Sequence, residues 1–174
     1  QSLPSRRTPP NVVLFTLDTT RADHLGAYGY PDIKTPTIDA LAKGGVLFRR
    51  AIASAPITLP SHSSIMTGLY PPAHGVRDNG TFTLPDKVTT LAEVLHGEGY
   101  ATGAFVGAAV LERRYGLTQG FDVYDDDFSQ GRRVRHQEVG WRERVRQHLG
   151  DELDPALGHG VDVLDLRDQF HQPL

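Results

Sequence analysis

Thr90-Leu91-Ala92-Glu93-Val94-Leu95-His96-Gly97-Glu98-Gly99-Tyr100-Ala101-Thr102-Gly103-Ala104-Phe105-Val106 reads as a helix that hands the chain to a strand. Thr89 or Thr90 opens the helix, and Glu93 stands three residues after Thr90, the spacing at which two side chains satisfy each other's backbone amides in a capping box. Leu91, Val94 and Leu95 repeat at helical spacing, and Gly97 or Gly99 ends the run. Residues 101–106 then read as a short, mostly apolar strand bounded by turn residues.

The same alternation extends upstream. Asn11-Val12-Val13-Leu14-Phe15-Thr16-Leu17 is a nearly continuous apolar run, too short for a helix and rich in strand formers, so it is expected as a strand buried on both faces. Asp18 follows at its carboxyl end, where open α/β sheets bind ligands. Thr35-Pro36 starts a second helix, with proline at its first position, Ile38, Leu41 and Ala42 as a core-facing stripe, and Gly44-Gly45 as the stop. Val46-Leu47-Phe48 is a further strand candidate. Strand, helix and strand in turn predict right-handed crossovers and a mainly parallel sheet.

Between these lies Thr58-Leu59-Pro60-Ser61-His62-Ser63-Ser64-Ile65-Met66-Thr67-Gly68-Leu69-Tyr70-Pro71. A hydroxyl residue stands at the mouth of a helix-compatible run that Gly68 closes and Pro71-Pro72 keeps from resuming. Thr58 is a candidate nucleophile there, because the first backbone N–H groups of a helix favour an anion and stabilise charge growing on an attacked group. The plainer reading makes Thr58 or Ser61 an N-cap. His62, one turn on, is expected to hydrogen-bond the backbone of the site and His74 to form a turn, both as structural residues. Ser61, Ser63 and Ser64 read as helix-cap and helix-surface residues.

Composition bounds the rest. The 174 residues, 39% hydrophobic and 22% charged, fit a single globular domain with a core. A net charge of −3 supplies no nucleic-acid surface, and no apolar run spans a bilayer. Cysteine is absent, which excludes disulfides, thiolate metal sites and a cysteine nucleophile. Residues 1–10 read as a polar linker or arm; with the non-Met start they lean toward a periplasmic or secreted protein. Residues 129–174 read as a charged, solvated helix over 134–149 and an irregular tail with one short strand at 161–166.

Asp18, Arg21, Asp23, Thr58 and Asn79 together supply a hard oxygen ligand, a hydroxyl that a metal ion could ionise, and a neutral amide donor for an anionic oxygen. Residues 11–23, Leu25-Gly26-Ala27-Tyr28-Gly29-Tyr30, Thr35-Pro36-Thr37-Ile38-Asp39-Ala40-Leu41-Ala42 and Thr67-Gly68-Leu69-Tyr70-Pro71 resemble, in order and spacing, the amino-terminal region of the sulfatases within the alkaline phosphatase superfamily. The resemblance covers residues 11–128. It implies an alkaline-phosphatase-like α/β fold, a mostly parallel sheet sandwiched by helices and here incomplete, with Asp18 and Thr58 as metal ligands and Thr58, Asn79 and Arg21 as catalytic residues. The cofactor it implies is a divalent metal (Zn, Ca or Mn), and the substrate a small anionic ester.

The chain departs from that pattern where chemistry is concentrated. Sulfatases carry formylglycine made from Cys or Ser in a C-x-P-x-R type motif, whereas Thr58, Pro60 and His62 occupy those positions, and threonine is not a precursor of that group. The single Asp18 before Arg21, the threonine and the downstream Asn79 resemble instead the nucleotide pyrophosphatase/phosphodiesterases. The expectation is therefore a metal-dependent hydrolase of sulfate or phosphate esters with a threonine nucleophile. The alternative is a noncatalytic or truncated fragment of the same fold, since no Asp-His or Asp-Asn pair in a convincing context follows Phe128.

Overall fold

The structure is a computed structural model that describes residues 10–127. The arm at 1–9, the charged helix at 134–149 and the strand at 161–166 lie outside the described residues. The chain divides into two compact units between Leu47 and Phe48.

In the first unit, helix α1 (Pro36–Gly44) follows two 3-10 turns, Ala22–His24 and Gly26–Tyr28. The Thr35 hydroxyl knits them together: it accepts from Gly26 N at 2.9 Å and donates to Asp39 Oδ1 at 2.8 Å. Two expectations fail here. Residues 11–17 form no strand, and Val12, Val13, Leu14, Phe15 and Leu17 are all exposed; α1 buries none of its residues, with Leu41 two-thirds exposed. The physical reason is common to both. Apolar periodicity specifies what a segment can pack against, but burial on two faces requires neighbours on both sides, and among the described residues no strand pairs with 11–17. Val46 and Phe48, expected in a strand, are likewise exposed in coil.

The second unit is built around helix α2 (Thr58–Thr67), which packs against α3 (Pro71–His74), α4 (Leu91–Gly97) and a 3-10 turn at Ala109–Leu111. Gly68 adopts a left-handed conformation (φ 68°) and its N–H returns to Ser64 O at 2.8 Å, which ends α2 as expected. Pro71-Pro72 does not only block continuation. Its fixed φ starts α3 after Tyr70, and Gly75 (φ 86°) closes that single turn. In α4 both capping-box bonds form: Glu93 N donates to Thr90 Oγ1 at 3.1 Å, and Thr90 N donates to Glu93 Oε2 at 2.7 Å.

Strand β1 (Gly103–Phe105) pairs in parallel with β2 (Val123–Asp125), in the register Gly103 with Val123, Ala104 with Tyr124 and Phe105 with Asp125. The connection between them runs over the two 3-10 turns Ala109–Leu111 and Arg113–Tyr115. Thr102 locks the entry, its N–H and hydroxyl both bonding Asp122 Oδ2 and its hydroxyl also reaching Gly120 O at 2.7 Å. Gly120 is required twice over, by its φ of 81° and because a Cβ there would sit 2.1 Å from Glu93 N. Leu59, Val76, Leu84, Val88, Leu111 and Leu117 make the buried core, so α2 and the residue just past α3 meet in one apolar cluster. Among the described residues no helix is long and apolar enough to cross a membrane.

Candidate active site

Helix α2 begins at Thr58 because Ile57 is extended (φ −134°, ψ 150°) and its carbonyl accepts the first intrahelical bond, from Ser61 N at 3.1 Å. Ile57 is therefore the N-cap residue and Thr58 the first helical one, so neither Thr58 nor Ser61 is the cap. The capping task falls to Asn79, whose Oδ1 accepts from Leu59 N at 2.8 Å across 20 residues of chain. Of the amides that follow Thr58, Leu59 N is engaged by Asn79, Pro60 has no N–H, and Ser61 N bonds the Ile57 carbonyl. With Oδ1 committed to Leu59, Nδ2 makes no hydrogen bond among the described residues and keeps its hydrogens for another acceptor.

Two histidines bond to α2, His62 from within the helix and His74 from the end of α3. His62 Nδ1 lies 2.9 Å from the Thr58 carbonyl. A carbonyl only accepts, so Nδ1 carries the proton there, and the ring supports the backbone of the site as expected. His74 ends the single turn α3 as expected, and is buried, 1% exposed. Val76 N donates to its Nδ1 at 3.1 Å, so the proton resides on Nε2, which faces Ser64 Oγ at 2.9 Å. Burial holds His74 below the ordinary imidazole range, and the Pro60 carbonyl opposes that shift only in part. Ser63 and Ser64, expected on the helix surface, lie on the buried face of α2, and Ser63 Oγ has no partner among the described residues.

Asp18 and Arg21 belong to the first unit and Thr58 and Asn79 to the second. Asp18 is exposed, its Oδ1 accepting from Thr19 N at 2.9 Å in a turn where Thr19 takes the left-handed conformation (φ 55°). Arg21 is turned onto Asp23, with Nε 2.9 Å from Oδ1 and Nη2 2.5 Å from Oδ2. That contact lowers the Asp23 carboxyl and raises the Arg21 guanidinium from their usual values. The structure thus brings Thr58 and Asn79 to one helix end and presents Arg21 already paired.

A carboxylate and a hydroxyl are the donor types that a hard divalent cation takes, but such a cation needs about six oxygen ligands. Among the described residues no group of three or more His, Cys, Asp or Glu comes together to hold a metal.

The sulfatase family profile matches residues 10–162, most of the chain. The chain belongs to the sulfatase family. Among similar curated proteins, an ulvan-active sulfatase of Formosa agariphila is 39% identical over 124 residues, covering 67% of this chain and 24% of that protein. Mouse steryl-sulfatase is 38% identical over 109 residues, 57% of this chain and 17% of that protein. Among solved structures, the phosphonate monoester hydrolase of Agrobacterium radiobacter superposes with a TM-score of 0.59 at 30% identity, covering 79% of this chain and 29% of that one. This sulfatase-family chain thus has the alkaline-phosphatase-like α/β fold, represented among its described residues by the parallel β1–β2 pair and its helices, and it spans about a quarter of the length of the ulvan-active sulfatase.

The turn at His74 was legible in the sequence, but its burial and its bond to Ser64 are non-local; the one available signal was that His74-Gly75 follows a Pro-Pro pair able to start a turn of helix and deliver the ring inward.

Proposed function

We propose that this chain carries the nucleophile of a hydrolase acting on sulfate or phosphate esters, with Thr58 as that nucleophile. In the first step Thr58 Oγ forms a bond to sulfur or phosphorus, the bond from that atom to the ester oxygen breaks, and the leaving oxygen departs with the electron pair and takes up the proton that Thr58 gives up through solvent. Water then attacks the same atom, the bond to Thr58 Oγ breaks, and the hydroxyl is restored. Asn79 Nδ2 donates to a non-bridging oxygen during both steps. A neutral amide suits this task, since it stabilises developing charge without binding the resting substrate as tightly as a cation would.

The observation that carries the reading is the bond from Leu59 N to Asn79 Oδ1, which puts the amide group at the end of α2 that Thr58 begins. Membership of the sulfatase family supports the ester class. The threonine at position 58 favours a phosphate ester over a route through formylglycine, and a phosphonate monoester belongs with the substrates to be tried. The family's divalent metal (Zn, Ca or Mn), with Asp18 and Thr58 among its ligands, is part of the proposal and requires donors beyond the described residues.

The test is turnover of the intact protein on p-nitrophenyl sulfate, p-nitrophenyl phosphate, bis(p-nitrophenyl) phosphate and a phosphonate monoester, with metal content measured alongside. Thr58→Ala is expected to lower kcat on the preferred ester at least about a thousandfold. Retained turnover in that variant removes the nucleophile assignment, and no turnover by the parent on any of the four favours the noncatalytic alternative.

A further inference from the structure

The Asn79 side chain sits at the end of a six-residue segment, 74–79, that is fastened to α2 twice. At its far end Oδ1 of Asn79 takes the Leu59 amide. At its near end the His74 ring reaches α2 through Nε2, to Ser64 Oγ at 2.9 Å. The same ring accepts from Val76 N at 3.1 Å through Nδ1. Val76 itself is fully buried in the core cluster beside Leu59. The two fastenings therefore meet α2 at Leu59 and Ser64, on the helix that Thr58 begins.

We infer that His74 is a positioning residue for the proposed hydrolysis: as a neutral imidazole protonated at Nε2 and accepting at Nδ1, it sets the path of residues 74–79 against α2 and thereby the place of the Asn79 amide relative to Thr58. No other side-chain type offers a buried donor and a buried acceptor on opposite edges of one rigid ring. A wholly apolar residue would leave the Val76 amide and the Ser64 hydroxyl without this partner, and of the two side-chain fastenings only Asn79 would remain. His74 acts through Asn79 and touches neither Thr58 nor substrate in this role. The inference rests on the ester-hydrolase reading for its kinetic consequence, while its structural consequence can be measured without it.

The experiment uses the intact protein and the variants His74→Gln, Asn79→Ala and their combination. Gln keeps a donor near the Nε2 position and loses the acceptor for Val76 N, so the variant removes one fastening with the fold expected to survive; His74→Asn, which keeps an acceptor near Nδ1 instead, is the second variant should Gln fail to fold. Two quantities are read: hydrogen exchange at the Leu59 amide, and kcat with KM on the preferred ester. His74→Gln is expected to speed Leu59 exchange about tenfold and to lower kcat about tenfold with KM changed less than about twofold, the loss of one hydrogen bond's worth of placement. In the Asn79→Ala background the same substitution is expected to leave kcat unchanged, because the group it positions is gone. A merely structural histidine would lower the melting temperature with Leu59 exchange and kcat unmoved, or would multiply its kcat effect onto Asn79→Ala, and either result overturns the inference. If the parent protein hydrolyses none of the esters, the functional reading fails by itself, and Leu59 exchange in His74→Gln still decides whether His74 positions Asn79.

Discussion

Asn79 performs two separable tasks, and Asn79→Asp pulls them apart. Its Oδ1 accepts the Leu59 amide at 2.8 Å, which a carboxylate does at least as well. A negative charge at the start of α2 also meets the positive end of the helix macrodipole, worth about 0.3–1 kcal/mol, with the low end expected here because Asn79 is exposed. In a domain of this size about 0.5 kcal/mol corresponds to a rise of roughly 1–2 °C in Tm. The other edge of the side chain reverses sign. The amide Nδ2, which the proposed mechanism uses as a donor, becomes an oxygen carrying negative charge beside an anionic ester. Loss of one such donor costs about 10²–10³ in kcat, and the like charge adds to that loss. The expected result is a protein as stable as the parent or more so, measured by thermal unfolding at low salt, with turnover reduced at least about a hundredfold. Asn79→Ala is the control, losing the cap at a cost of about 1 kcal/mol as well as the donor. Parent-like turnover in Asn79→Asp would refute the donor role, and a fall in Tm matching that of Asn79→Ala would refute the capping geometry.

Ser63→Ala removes a buried hydroxyl that has no partner among the described residues, from the interior of α2, and is expected to raise stability by about 0.5–1 kcal/mol in urea unfolding. Gly120→Ala forces a Cβ to within 2.1 Å of the Glu93 backbone at a positive φ, and a loss of more than about 3 kcal/mol is expected from the same measurement. Burial depresses the His74 imidazole below its unfolded value of 6.5, so the unfolded chain binds the proton first and stability falls as pH drops below about 6.5 toward the folded value. Comparing urea midpoints of the parent and His74→Gln between pH 7 and 5 isolates this contribution: the variant is expected to lose less stability than the parent over that interval.

What was legible in the sequence follows the reach of each interaction. The Thr90–Glu93 capping box, the Gly68 stop and the proline-started α1 depend on partners within four residues, so their residue types announce them. The helix at Thr58 was readable for the same reason, and the strand at 103–105 from its apolar run between turn residues. Residues 11–17 fail differently: Val12 to Leu17 have the composition of a buried strand, but burial is a property of neighbours, and no strand among the described residues pairs with them. Val123-Tyr124-Asp125, three residues long, is too short to show a period, and only its pairing with Gly103–Phe105 makes it a strand.

At the candidate site the divide is sharper and has a chemical consequence. Thr58 at a helix mouth and Asn79 downstream could both be picked out from residue type and order, yet their connection is a bond between residues 59 and 79 that no local pattern predicts. That bond reassigns the work of each group. It frees Thr58 from the capping role that its position alone most plainly implied, and it takes up a helix amide that would otherwise have been assigned to the oxyanion. In the proposed mechanism the donor to the oxyanion at this end of α2 is a side chain, and a side chain, unlike a backbone amide, depends for its placement on what holds its own segment. The buried His74, which the sequence offered only as a turn residue, is the group that holds it there.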